Sequence, residues 1–263
     1  MGISAGVNRG IIECATRGIV TSASLMVNTP GFNDAVARAA SDAPSLGIGL
    51  HLNLIVGAPI SRVPSLTDPA TGNFWSFATL VRRATLGLVD AVDVARETDA
   101  QFDRLRANGV RTTHVDSHRH VHAHAALWPV VIDRAARAAN IAVRLPRERW
   151  STNAINWRAT TTKVLLATSR LFAGAAHARS ADHFAGISLQ GVPDFRALLL
   201  GTIDTLQPGV TELMVHPGYV DDVLRAQDSY LAQREAEVHA LIDPIVRDRI
   251  AARGITLVTF ANV

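Results

Sequence analysis

Gly109-Val-Arg-Thr-Thr-His-Val-Asp-Ser-His-Arg-His-Val-His122 is the stretch on which the reading of this chain turns. Its first part, Gly109 to Asp116, reads as a short strand arriving from a helix. Its second part gathers histidines at the strand's C-terminal end, which in strand–helix folds is where active sites are built. Residues 113–122 hold four of the chain's ten histidines and one carboxylate. His114, Asp116, His118 and His120 fall on alternate residues, so an extended backbone would set them on one face. Imidazole is the commonest neutral nitrogen ligand for zinc and similar ions, and a carboxylate beside it can ligate or orient. The pattern favours a metal site over a solvated histidine-rich loop.

Outward from this stretch, strands and helices alternate along the whole chain. Strands are expected at Ile19–Val27, Leu46–Leu54, Arg111–Asp116, Ala142–Leu145, His183–Leu189, Val210–His216 and Thr256–Phe260. Helices fit between them at Val7–Arg17, Phe32–Ala40, Leu88–Asn108, Ala125–Ala139, Ala154–Phe172 and Phe195–Leu206, with a long final one from Ser229 to Arg253. The strands are apolar runs without strict alternation, as expected when both faces of a sheet are covered. This order predicts an α/β fold with a parallel sheet, closed or nearly closed into a barrel, with an open doubly wound sheet as the alternative. Without a linker, repeat or low-complexity tract, residues 1–263 read as a single domain. The segment Val56–Trp75, richer in Pro, Gly and Ser, follows the strand carrying His51. It reads as a substrate-binding wall or lid, or as a plain surface loop.

Composition excludes several function classes. The net charge of +3 comes from 26 basic against 23 acidic residues, and the arginines are scattered rather than gathered into a stripe that would bind nucleic acid. Cys14 is the only cysteine, so neither an intramolecular disulfide nor a cysteine-based zinc site can form. It sits in an apolar helical run and reads as core. No segment reaches the roughly 18 uninterrupted apolar residues of a membrane span, and no basic-then-apolar signal peptide opens the chain. The expectation is a cytoplasmic protein; a homo-oligomer stays open.

Three further residues stand at expected strand ends. His51 follows Gly47 and Gly49, which relieve crowding where backbone or ligand approaches. His216 precedes Pro217-Gly218, which turns the chain. Arg144 is placed to orient a carboxylate, to hold substrate or to form a rim salt bridge. A dinucleotide fingerprint, a phosphate-binding P-loop and a Gly-x-Ser-x-Gly elbow are all absent from the sequence.

Five ordered motifs together resemble the YdjC family of carbohydrate deacetylases. They are Gly-Val-Asn-Arg-Gly-Ile at 6–11, Thr-Ser-Ala-Ser-Leu-Met-Val-Asn at 21–28, Gly-Leu-His-Leu-Asn-Leu at 49–54, Asp-Ser-His-Arg-His-Val-His at 116–122 and Glu-Leu-Met-Val-His-Pro-Gly at 212–218. The resemblance implies an irregular TIM-like barrel that removes an N-acetyl group from an amino sugar with the help of one divalent metal ion, magnesium or zinc. It implies His51 and His118 as metal ligands, His216 as the imidazolium that protonates the leaving amine, and Arg144 as support for the acid–base system. Asp116, His120 and His122 become neighbours that orient the site or touch substrate. The family opens on a strand ending Asn-Ala-Asp-Asp-Phe-Gly, whose aspartates supply a ligand and the general base. Here Met1 stands at the aromatic position and Gly2-Ile-Ser follows. The expectation is therefore a barrel lacking its first strand, with activity impaired, and the alternative is an inactive carbohydrate-binding relative. Asp116 and Asp222 are the substitute carboxylates to consider. Hydrolysis of a non-sugar amide is a weaker third reading.

Overall fold

Four parallel strands carry the first half of the molecule's chemistry. The computed structural model describes residues 1–139, 141–148 and 178–263. Helix α1 (Ala5–Arg17) starts where the Ser4 hydroxyl accepts the Val7 N–H at 3.3 Å. It leads into β1 (Ser22–Leu25), α2 (Phe32–Ser41), β2 (Gly47–Leu52), α3 (Phe77–Thr85), α4 (Ala91–Ala107), β3 (Thr112–Ser117), α5 (Trp128–Arg137) and β4 (Ala142–Val143). The strands pair in the order β1-β2-β3-β4, all parallel, and the register sets His51 beside Asp116. Residue 1 runs alongside this sheet: the Met1 N-terminal amine donates to Ser24 O at 2.7 Å, and Met26 N–H donates to Met1 O at 3.1 Å.

The alternation along β2 explains how one strand serves both core and site. Ile48, Leu50 and Leu52 are buried with Leu25 and Val115 in the main apolar cluster, against α1, α2, α4 and α5. Gly47, Gly49 and His51 occupy the alternate positions. A Cβ on Gly49 would lie 2.4 Å from the His114 ring, so only glycine leaves room for that imidazole, which stacks on Phe260 at 4.1 Å between centroids.

The second half adds β5 (His183–Ala185), α6 (Phe195–Asp204), β6 (Thr211–Leu213), α7 (Asp222–Gln227), α8 (Arg234–Leu241) and α9 (Pro244–Ala252). Strands β5 and β6 form a separate parallel pair. The α/β class with parallel strands is as expected. Among the described residues the ladder does not close into a full circle, and a buried ion triad ties the two sheets instead. Arg144, just past β4, pairs with Asp116 on β3 and with Glu212 on β6.

Several boundaries differ from the sequence-based expectation. The strands expected at His183–Leu189 and Val210–His216 shrink to three residues each, so His216 lies beyond the ladder. Residues Thr256–Phe260 form no strand; side chains tether them, with Thr21 Oγ1 donating to Val258 O at 2.6 Å and Phe260 N–H donating to Ser22 Oγ at 3.1 Å. The long final helix breaks at Asp243-Pro244, because Pro244 cannot donate within a helix and Asp243 caps the next one through the Ile245 N–H at 2.9 Å. Helix α3, capped by Ser76, occupies a region where no element was expected. The expected helix at Ala154–Phe172 lies outside the described residues. Cys14 is buried as expected, and burial pushes its thiol up to about 12. Among the described residues no helix is long and apolar enough to cross a membrane.

Residues 56–75 do not form the wall of the site. The α4 carboxylates pin this segment: Glu97 accepts the N–H groups of Ile60 at 3.0 Å and Ser61 at 2.9 Å, and Asp93 accepts that of Ser65 at 2.8 Å. None of residues 56–75 lines the large cavity, whereas Phe77, the first residue of α3, does.

Candidate active site

A cavity of about 1070 Å³ runs along both sheets, lined from Ser22 and Thr211, which begin β1 and β6, to His51, Ser117 and His216 at or past the strands' C-terminal ends. His51, Asp116, His118, His120, Arg144, Glu212, His216, Asp228, Tyr230 and Arg234 line it. On the four-stranded side, the His51 Nδ1–H donates to Asp116 Oδ1 at 2.7 Å. This fixes the tautomer and leaves the His51 Nε2 with its lone pair. Ser24 Oγ donates to the other Asp116 oxygen at 2.9 Å, and Arg144 pairs with that oxygen too. Burial alone would raise the Asp116 carboxyl. The Arg144 guanidinium and the His51 ring override it and hold the group well below the usual carboxylate range. Glu212, the other partner of Arg144, is raised by its burial.

The backbone turns sharply after β3. Arg119 and His120 are consecutive non-glycine residues in the left-handed region, at φ 53° and 56°. Each such residue costs on the order of 1 kcal/mol or more, and the surrounding contacts hold them there. The His122 Nε2–H donates to Arg144 O at 3.0 Å, so its Nδ1 accepts the Ser117 hydroxyl at 2.6 Å. Ser117 Oγ in turn accepts the His122 backbone N–H at 2.9 Å. Both ring nitrogens of His122 are thus committed to bracing the turn and Arg144.

His118 faces His51 edge-on, with ring centroids 5.7 Å apart. Burial, helped by the His51 ring, lowers it to about 3 and keeps it neutral at pH 7. Burial also holds His120 well below the ordinary histidine value, and its Nδ1 is buried without a partner among the described residues.

Across the cavity, His216 packs edge-on to Tyr230 with ring centroids 5.4 Å apart. Burial, then the Arg234 and Arg144 guanidiniums, lower its ring to about 3. The imidazolium expected to protonate the leaving amine must therefore form on a ring whose surroundings favour the neutral imidazole. Such a ring is a weak base and, once protonated, a strong acid.

The donor set suits a divalent ion in kind but falls short in number. His51 offers Nε2 backed by a carboxylate, and His118 offers a second neutral imidazole; such carboxylate-braced histidines are typical metal ligands. Among the described residues, however, no group of three histidine, cysteine, aspartate or glutamate side chains comes together in a metal-holding arrangement. Neither substitute carboxylate completes it. Asp116 is spent on His51, Ser24 and Arg144. Asp222 is exposed at the start of α7, away from the cavity lining.

The structure thus brings His51, Asp116, His118, His120, Arg144 and His216 to one cavity and sets His122 behind it as a brace. Sequence reasoning missed Ser24, Asp228, Tyr230, Arg234 and Glu237. Ser24 lay within a motif already quoted, and its inward side was legible from the alternation of Ser22 and Ser24. Arg234 and Glu237 stand three apart on one helix, a spacing that puts both on one face but says nothing of what that face meets.

Comparison with known proteins adds an independent line. A family model described as YdjC-like protein matches residues 1–252. A carbohydrate deacetylase from Brevibacillus brevis is 38% identical over 265 residues, covering 100% of this chain and 96% of the relative. One from Geobacillus stearothermophilus is 36% identical, covering 98% and 93%. A chitooligosaccharide deacetylase from Enterobacter is 32% identical, covering 100% and 95%. A crystal structure from Enterococcus faecalis, provisionally named a cellobiose-phosphate cleavage protein, superposes with a TM-score of 0.79 at 29% identity, covering 99% of this chain and 94% of that one.

Proposed function

The chain belongs to the YdjC-like family, and we propose that it hydrolyses the acetamide of an N-acetylated amino sugar or oligosaccharide. The observation that carries this reading is one cavity in which His51, His118 and His216 converge, in a chain whose relatives at 30–38% identity bear deacetylase names. His51 and His118 would hold one divalent ion, magnesium or zinc, which when bound polarises an amide carbonyl and acidifies water.

The chain's own residues supply orientation and proton handling. Asp116 fixes the tautomer of His51, and Arg144 fixes Asp116. Among the described residues, the Asp and Glu side chains lining the cavity are each paired to arginine, Asp116 and Glu212 to Arg144 and Asp228 to Arg234. We place the proton taken from the attacking water on neutral His216, the imidazole on the wall opposite His51 and His118. Water adds to the acetyl carbon, the C–N bond breaks, and the His216 imidazolium returns the proton to the leaving nitrogen, giving acetate and a free amine. The test is acetate release over a panel of N-acetylated sugars and simple amides, with free amine counted in parallel. One acetate per amine, on sugars in preference to simple amides, supports the reading. Sugar binding with no acetate released would replace it by a binding function.

A further inference from the structure

His216 stands where the sheet no longer holds it. Strand β6 ends at Leu213, and its last bonded neighbour is Met214, whose N–H reaches Ala185 O at 2.8 Å. Two residues later the His216 backbone takes both its partners from helix α8. Its N–H donates to Glu237 Oε2, and its carbonyl accepts from Arg234 Nη1 at 3.2 Å. Both side chains are buried, at 1% and 6% exposure, so these bonds are shielded from competing water.

The same two residues gather the surroundings of the ring. Tyr230 donates its hydroxyl to the second Glu237 oxygen at 2.5 Å, which fixes the aromatic ring that packs against the His216 imidazole. Arg234 also donates through Nε to Tyr230 O at 2.7 Å and through Nη2 to Asp228 Oδ2 at 2.6 Å. Backbone, packing wall and neighbouring carboxylate therefore share one anchor.

We propose that α8 is the positioning element of His216, with Glu237 and Arg234 as positioning residues and Tyr230 as the wall that sets the ring's orientation. The inference rests on the reading of His216 as the proton carrier, and its structural part can be tested apart from that reading. A proton donor must meet the leaving nitrogen within hydrogen-bond reach, and small displacements cost heavily, up to about 100-fold in rate for roughly 1 Å. Glu237 fixes the height of His216 along the cavity wall, and Tyr230 fixes its tilt.

The experiment compares Glu237→Ala, Glu237→Gln and Tyr230→Phe with the parent, using an N-acetylated chitooligosaccharide and ¹⁵N signals of the His216 ring. Glu237→Ala should lower kcat by at least about 10-fold, within the span set by misplacement, with KM unchanged, and should broaden or average the ring signals. Glu237→Gln keeps an acceptor for the His216 N–H and should recover most of kcat. Tyr230→Phe keeps the ring and should fall between the two. Equal kcat per folded molecule and unchanged ring signals in Glu237→Ala would overturn the proposal and leave Glu237 a packing residue. A parent that deacetylates nothing would sink the proposed activity, while the ring signals would still decide whether α8 orders His216. Should Glu237→Ala fail to fold, Glu237→Asp, which draws the carboxylate back by one methylene, carries the same two readouts.

Discussion

The two walls of the cavity hold their histidines by different means. On the four-stranded side, His51 and Asp116 are register partners on adjacent strands, and Ser24 on the next strand completes the group. Local sheet geometry makes these contacts. On the two-stranded side, His216 lies past the end of β6, and a helix that begins 18 residues later supplies its backbone partners. Arg144 joins the two walls through Asp116 and Glu212. A site can thus be half ladder and half helix brace. The two halves should respond differently to substitution.

The most severe way to break the comparison is to remove what joins the walls. Arg144→Ala strands two buried carboxylates without a cation, and breaking a buried pair typically costs about 3 to 5 kcal/mol. Chemical denaturation should show a loss of that order. A change under about 1 kcal/mol, the range of surface pairs, would mean that the triad does not tie the sheets.

Acid sharpens the contrast next. Burial lowers His114 to about 3 and His122 to about 4, against 6.5 for an ordinary histidine. Below pH 6.5 the unfolded chain takes up protons that the folded chain refuses, so stability falls as pH drops toward the folded values. The slope approaches roughly 1.4 kcal/mol per pH unit for each ring. Denaturation midpoints at pH 7 and pH 5 should therefore differ, and His122→Gln should flatten the difference. A stability that stays level between those pH values would refute the neutral burial of these rings.

A smaller test concerns only the ladder side. Gly49→Ala would drive a Cβ to 2.4 Å from the His114 ring, and overpacking of this kind costs about 1 to 3 kcal/mol. Thermal unfolding checks it. The environment of His216 should be untouched, so a shifted His216 ring signal would show that the walls are less separate than described.

The sequence exposed the ladder side better than the brace side, for a physical reason. His51 and Asp116 were findable because strand periodicity and strand ends are local properties, and His118 followed from the same run. Arg144 and His216 were findable as polar residues closing apolar runs, although the strand before His216 proved shorter than expected. The Glu237 contact was not legible, since it depends on how α8 packs against its neighbours. One such contact is the close approach of α8 to Gly10 on α1, where an added Cβ would sit 3.1 Å from the Val238 Cγ2. The break at Asp243-Pro244 was legible in principle, because proline at a first helical turn with aspartate before it is a start signal.

The most direct test of the account is to measure bound divalent metal and acetate release side by side on His51→Ala and His216→Ala. His51→Ala removes a ligand candidate, and it should lose both metal and turnover. His216→Ala removes only the proton carrier, and it should keep its metal while losing turnover. Should both variants lose metal alike, or should His216→Ala release acetate at the parent rate, the division of labour between the two walls would be wrong.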